Sequence, residues 1–334
     1  MKNLLYIVPN INKINGGPVS RITDLKKEFK SNGDLVLSKN KIQKALALDR
    51  LKIVYVESAT NRIGFDDLIA LIILKIKSKK MIVFIRDIYI ELFPNEYKGL
   101  RKSITRYCNQ ASNYFLTLIS SQLAFPTYEM GEFFFKKNKY YPKREFIQLP
   151  PATETGTIFR YEINKDKKIG ILYLGGTKYA NSGFGSFVEY AQNYSDNYNF
   201  FVLTPDTDLS SRYKIPKSLF VLCLKRNHIP NFLKEHNIAL AFHSRPRNIY
   251  DDLTFPIKIL DFINFGLPFL TERHKPLESL IGKDYRLFVD WGNPECVMKK
   301  TMDATINRME HLDRLEQIAK EHTYKKRFDE IIGQ

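Results

Sequence analysis

Short apolar runs recur through the first 150 residues, and between them lie segments whose apolar positions return every three or four residues. Leu4 to Val8 is the first such run, followed by a helical pattern from Pro18 to Lys30 and further runs at Leu35 to Leu37 and Ile53 to Val56. A helix is expected from Asp66 to Lys77, a strand from Met81 to Ile85, a helix around Glu96 to Asn109 and a strand from Phe115 to Ile119. Apolar strands alternating with helices predict a parallel sheet covered on both faces. At Phe146-Ile147-Gln148-Leu149-Pro150-Pro151 the text changes to a polar, Thr-rich stretch through Thr157, which places a domain boundary near residue 150. A second series then begins, with strands expected at Ile169 to Leu174, Phe200 to Leu203, Leu219 to Leu224, Ile238 to Phe242, Pro268 to Leu270 and Leu287 to Val289. The fold class is therefore α/β, with two Rossmann-like doubly wound units facing each other, and a cleft between them is the default ligand site.

A chain of 334 residues suits two domains of similar size. With 44% hydrophobic and 26% charged residues it is globular rather than disordered. Cys108, Cys223 and Cys296 are far apart, without the spacing of a zinc site or a disulfide framework, and fit reduced thiols in a cytoplasmic protein. The apolar run after Met1-Lys2-Asn3 is too short for a signal peptide. Leu68 to Leu74 falls short of the ~20 apolar residues that span a bilayer.

Charge changes the picture more. The net charge is +16, and residues 1 to 150 hold 26 Lys+Arg against 13 Asp+Glu, so +13 of it lies in the first half. That asymmetry favours a polyanionic partner, either nucleic acid or anionic lipid headgroups.

The residues that carry chemistry lie mainly in the second half. After the strand ending at Leu174 come Gly175-Gly176-Thr177-Lys178, and a helix is expected to open near Gly183 to Gly185. Backbone amides in such a loop can approach a phosphate, although the same glycines also make an ordinary strand-to-helix turn. The stretch from Asp251 through Pro268 is more demanding. Thr254 can cap a helix, Pro256 can occupy its first turn, and Gly266 can end it, so Lys258 and Asp261 fall on one face. A lysine there is unfavourable unless an anion binds; the plainer reading is an i,i+3 ion pair on a solvated helix.

The arrangement Pro256-x-Lys258-x-x-Asp261-Phe262-x-x-x-Gly266-x-Pro268 resembles the donor-binding helix of family-4-type GT-B glycosyltransferases, especially those that build surface and capsular polysaccharides. Gly16-Gly17-Pro18, Arg86-Asp87-Ile88-Tyr89, Leu149-Pro150-Pro151 and Gly175-Gly176 follow in the family's order, and His322 to Phe328 resembles its last helix. The resemblance implies an acceptor domain over 1–150, a nucleotide-sugar domain over 151–315 and a helix in 316–334 packing back on the first domain. It implies that Asp261 binds the donor ribose, and that Lys258 and the amides near Gly176 and Thr177 hold the diphosphate. Gly16 and Gly17 would leave room for donor and acceptor. Gly175, Lys178, His243, Ser244, Arg245, Asp252, Pro256 and Ile257 complete the expected donor site, and Arg86, Asp87 and Lys258 are the expected catalytic groups. No metal or cofactor is expected, because cations and helix termini can stabilise the departing diphosphate. Retention by front-face attack is the implied chemistry.

The sequence departs from the family in two places. Lys178 is the sole candidate from the cation pair that usually follows the second domain's first strand. The first member of the usual acidic pair would fall at Leu253, with Asp251 and Asp252 just before it; Asp261 stands where Glu is more usual. Arg245 and Arg247 follow a strand at the edge where α/β sheets bind ligands, and could equally form a solvated loop; Arg86 and Asp87 could equally be a structural pair.

Three basic segments are membrane candidates: Lys75 to Lys80, the helix bearing Lys98, Arg101, Lys102 and Arg106, and Phe133 to Tyr141. The plainer reading makes the aromatics core and the lysines solubilising. The expected partners are a nucleotide-sugar, a glycan or lipid-linked acceptor and the inner face of the cell membrane, with no nucleic acid and with a homo-oligomer left open. Competing readings are a nucleotide-sugar 2-epimerase, a non-catalytic GT-B subunit and, from another class, a nucleic-acid-binding protein, for which no known motif spacing is present.

Overall fold

A computed structural model describes residues 4–9, 17–58, 63–178, 180–206, 208–209 and 211–333. The chain forms two compact units. Unit 1 comprises Met1–Ala152, Leu253–Phe255 and Tyr324–Gln334; unit 2 comprises Thr153–Asp252 and Pro256–Thr323.

Unit 1 runs β1 (Leu4–Ile7), α1 (Gly17–Ser31), β2 (Leu35–Leu37), α2 (Lys41–Ala47), β3 (Leu51–Glu57), α3 (Phe65–Lys77), β4 (Ser78–Phe84), α4 (Tyr89–Leu92), α5 (Leu100–Ile119), β5 (Gln122–Phe125), α6 (Tyr128–Lys137) and β6 (Phe146–Gln148). Its six strands are all parallel in the order β2-β1-β3-β4-β5-β6. The strand order reverses between β1 and β3. The near-continuous burial of β3, β4 and β5 follows from helices on both faces, which leave no polar side for alternation.

Unit 2 contains β7 (Ile169–Leu174), α7 (Phe184–Asn193), β8 (Tyr198–Leu203), β9 (Leu219–Leu222), α8 (Ile229–Glu235), β10 (Ile238–His243), α9 (Lys258–Asn264), β11 (Phe269–Thr271), α10 (Lys275–Ile281), α11 (Pro294–Ile306) and α12 (Arg308–Glu321). The last helix, α13 (Tyr324–Ile332), belongs to unit 1. The five parallel strands of unit 2 are ordered β11-β10-β7-β8-β9, so here the order reverses between β7 and β10. In open parallel sheets ligands bind beyond the carboxyl ends of the strands at such a reversal.

Several elements differ from the sequence expectation. Phe115 to Ile119 is the last turn of α5 rather than a strand, and the strand is β5, three residues later. A short, wholly apolar run fits a buried helix end as well as a strand, and here Leu116 and Ile119 face the core at helical spacing. Leu287 to Val289 makes an isolated bridge from Phe288 to Thr271 rather than a strand. Thr254 does not cap α9: residues 253–255 belong to unit 1, and the helix starts at Lys258 with no side-chain cap. Its end is as expected, since Gly266 adopts φ +60°. No helix among the described residues is long and apolar enough to cross a membrane.

Candidate anion-binding site

The reversal between β7 and β10 brings two loops together. One leaves β7 through Gly175 and reaches α7 at Gly183; the other leaves β10 through His243, Ser244 and Arg245. Glycine is required at both ends of the first loop. Gly175 has φ +112°, and a Cβ there would sit 2.5 Å from Cε of Lys258. Gly183 has φ +74°, and its Cβ would sit 2.2 Å from the Ser244 carbonyl oxygen and 2.4 Å from the Arg245 nitrogen. These positive φ values strain any L side chain, and the close approach leaves no room for one. The Ser244 hydroxyl closes the contact by donating to the Gly183 carbonyl at 2.6 Å.

Lys258 passes against Gly175 and lies over the Tyr173 ring, with Nζ 5.0 Å from the centroid. Among the described residues no carboxylate is within ion-pair distance of its ammonium. Burial, and then repulsion from Arg245, lower its pKa from 10.5 to about 8. Arg245 Nε is 2.9 Å from Asp251 Oδ1, yet burial outweighs that guanidinium and raises the Asp251 carboxyl to about 6. His243 is buried, its Nδ1 3.0 Å from Thr271 Oγ1. Desolvation, followed by Lys258, Arg245 and His274, pushes its pKa well down and holds the ring neutral. Arg245 has Asp251 as its partner, so it is the Lys258 ammonium beside the glycine backbone that an anion would balance. A bound anion would raise the Lys258 pKa back toward its ordinary value.

The other expected donor residues sit differently. The Thr177 amide and hydroxyl both donate to Asp206 Oδ2, at 2.6 and 2.9 Å, so that amide is already engaged. Arg212 reaches the Thr177 carbonyl at 3.2 Å and its hydroxyl oxygen at 3.1 Å, while Lys178 is exposed and only 3.8 Å from Asp206. Asp261 is not paired with Lys258 but with Arg226, at 2.8 Å, which rules out the i,i+3 ion pair. Asp252 pairs with Arg247 at 2.8 Å. Pro256 and Ile257 form the approach to α9, and Ile257 already has helical φ and ψ. Leu253 is buried in the core of unit 1, its carbonyl accepting from Thr127 Oγ1 at 2.6 Å.

In unit 1, Gly16 lies outside the described residues and Gly17 is the first residue of α1. Arg86 and Asp87 follow β4, with Nε and Oδ2 3.7 Å apart. Part of the expected basic surface is committed elsewhere. Lys77 donates to the carbonyls of Leu46 and Leu48 at 2.6 Å, and Lys75 to Ser121 at 2.9 Å. Phe134 is fully buried and Phe133 and Phe135 pack against the core, so those aromatics serve the fold. The helix α5 behaves otherwise. Leu100, Ile104, Tyr107, Tyr114 and Leu118 form a stripe along one exposed face, with Leu100 82% exposed. Arg101, Lys102 and Arg106 lie on the same helix, whereas Lys98, expected there too, precedes its start at Leu100, and no acidic residue occurs between Glu96 and Glu129.

Sequence reasoning missed Arg226, Asp206, Arg212 and His274. Arg226 is 35 positions before the carboxylate it meets, so only the folded chain reveals the pair. Among the described residues no group of three or more His, Cys, Asp or Glu is placed to hold a metal ion.

No protein-family model matches the sequence, and a search of curated proteins finds no match either. Solved structures do resemble the chain. T4 phage BGT in complex with its UDP-glucose substrate aligns over 99% of this chain and 98% of its own, with TM-score 0.54 and 15% identity. An α-glucosyltransferase in complex with UDP and a 13-mer DNA containing an HMU base aligns over 98% and 99%, with TM-score 0.60 and 10% identity. The GtfA/B complex aligns over 87% of this chain and 58% of its own, with TM-score 0.51 and 10% identity. At these identities the likeness defines the fold, which is the GT-B fold of two Rossmann-like domains.

Proposed function

We propose that the chain is a glycosyltransferase that takes a sugar from a nucleoside-diphosphate-sugar donor bound by unit 2. The observation that carries this reading is the convergence of Lys258 and Arg245, without a neutralising partner for Lys258, at the strand-order reversal of that unit. A diphosphate supplies the missing negative charge, and the same cations stabilise it as it leaves. Uridine is the base favoured, because the similar structures were solved with UDP-glucose or UDP. Arg226, beyond β9, and its partner Asp261 on α9 are proposed to receive the nucleoside, with the Asp261 carboxylate accepting from ribose hydroxyls. Because a ligand that binds only the folded state raises apparent stability, a thermal-shift screen of UDP-, GDP-, dTDP- and CMP-sugars tests the donor. A shift with UDP-sugars supports the reading, and no shift with any of them defeats it.

The finer elements are also proposals. Arg86 and Asp87 of unit 1 are proposed as catalytic groups, and retention at the anomeric centre is kept from the resemblance; the product anomer seen by NMR decides it. Transfer is expected to survive EDTA, since two cations stand where the leaving charge develops; one similar structure was solved with UDP and Mn2+, so added Mn2+ is the matching control.

For the acceptor we favour a molecule held at an anionic membrane, in surface-polysaccharide synthesis. The exposed apolar stripe of α5 with its flanking cations suits an interfacial helix. Replacing Arg101, Lys102 and Arg106 together by Gln should reduce binding to phosphatidylglycerol vesicles, each cation contributing ~1 kcal/mol near such a surface. A second reading, DNA as acceptor, is favoured by the similar α-glucosyltransferase solved with DNA and by the +13 excess in residues 1 to 150. Tight, salt-sensitive binding of duplex DNA with none to vesicles would select it.

A further inference from the structure

His274 follows β11 and is 3% exposed. Both of its ring nitrogens are buried without a hydrogen-bond partner. It precedes α10, yet its side chain does not cap that helix; its carbonyl alone takes part, accepting from the Glu278 amide at 3.0 Å. Desolvation lowers its pKa from 6.5 to about 4, so the ring is neutral near pH 7. The charged groups around it are balanced in sign: Asp252 and Glu278 against Arg247 and Arg245.

Buried polar groups are nearly always paired, and one left open needs an explanation. A neutral imidazole presents one donor and one acceptor. Phosphate or carboxylate oxygens only accept, and so can meet only the nitrogen that carries the proton. A hydroxyl both donates and accepts, so it can meet either nitrogen, whichever of the two carries the proton.

Position narrows the choice. Across unit 2 the order β11-β10-β7-β8-β9 puts His274 beyond one edge strand and Arg226 beyond the other, from where Arg226 reaches back to Asp261 on α9. Lys258 and Arg245 stand at the reversal between them. Four strand spacings of ~4.8 Å separate the edges, about 19 Å. A nucleotide-sugar lying across these carboxyl ends, nucleoside toward β9 and diphosphate over β7 and β10, carries its sugar toward β11.

We infer that His274 is a specificity residue that hydrogen-bonds a hydroxyl of the transferred sugar. This rests on the donor reading given above, and the experiment separates the two. Dissociation constants for UDP, UDP-glucose, UDP-galactose, UDP-N-acetylglucosamine, GDP and GDP-mannose are measured by calorimetry for the wild type, His274→Phe and His274→Asn. The Phe variant keeps a ring and removes both nitrogens; because those nitrogens bond nothing in the protein, its unliganded melting temperature should not fall. Expected is a bare-nucleotide affinity within twofold of wild type, an affinity for the preferred nucleotide-sugar about tenfold weaker in His274→Phe, and partial recovery in His274→Asn. If His274→Phe binds the nucleotide-sugar as the wild type does, or weakens nucleotide and nucleotide-sugar equally, the assignment is overturned while the donor reading stands. A marked fall in the unliganded melting temperature of both variants makes His274 structural and also overturns it. A wild type that binds none of the six defeats the donor reading and the His274 assignment together.

Discussion

Arg21 in unit 1 and Lys258 in unit 2 are both withdrawn from solvent near a parallel sheet, but their surroundings differ in kind. The Arg21 guanidinium donates to Glu57 Oε1 at 3.1 Å, the Leu149 carbonyl at 3.3 Å and the Tyr55 hydroxyl at 3.1 Å, and lies 3.9 Å from the Phe84 ring centroid. Tyr6 donates to the other Glu57 oxygen at 3.2 Å. This network closes on itself, and charge and hydrogen bonds are satisfied within unit 1. In unit 2 they are not: Lys258 is repelled by Arg245, and His274 has two idle nitrogens. A closed buried network points to a structural role, whereas an open one points to something that arrives from outside.

The largest expected break in this contrast is in stability. Arg21→Met leaves Glu57 buried and unpaired and should cost about 3–5 kcal/mol in chemical denaturation. Lys258→Met should cost nothing or stabilise slightly. A loss above ~2 kcal/mol for Lys258→Met would make that lysine structural and dissolve the comparison.

Next in size is ligand affinity. Losing a charge-assisted bond worth about 1.5–3 kcal/mol should weaken UDP binding by Lys258→Met roughly 10- to 100-fold, read by calorimetry. Arg21→Met, where folded, should bind UDP normally.

The pH dependence is smaller and its sign is fixed. In the free protein Lys258 loses its proton near pH 8 rather than 10.5, so binding an anion must take a proton up above that pH. UDP affinity should be about tenfold weaker at pH 9 than at pH 7. The unliganded protein carries the opposite trend. Between pH 8 and 10.5 the unfolded chain binds the extra proton, so the Lys258 contribution to stability rises with pH, and Lys258→Met should remove that rise. An affinity independent of pH across this range would place the ligand away from Lys258. The smallest effect is expected for Gly175→Ala, whose methyl would displace the Lys258 stem: UDP binding several-fold weaker, with a loss of ~1 kcal/mol or more from the strained φ.

Much of the frame was legible in the chain because parallel strands buried on both faces leave uninterrupted apolar runs; Leu35 to Leu37 and Ile169 to Leu174 emerge with the expected bounds. The failures have a common cause. Phe115 to Ile119 is apolar because a helix end is buried there, and the run alone does not distinguish that from a strand. At the site, Gly175, Gly183 and Lys258 were legible as loop glycines and an unfavourable first-turn cation. The partners were not: Arg226 for Asp261, Asp206 for the Thr177 amide and the solitude of His274 are set by chain segments distant in sequence.

The path of the chain has a consequence for how the molecule is made. Tyr324, Phe328 and Ile331 of α13 fill the same core as Tyr6, Leu25, Phe29 and Tyr55, with Phe328 edge-on to Phe29 at 4.9 Å. Unit 1 therefore lacks part of its interior when residue 152 leaves the ribosome. It waits for residues 324–332 through the synthesis of all of unit 2, on the order of 10–40 s at ~5–20 residues per second. Through that interval the sheet face that α1 and α13 share is covered by α1 alone, and the half of the chain translated first is completed last.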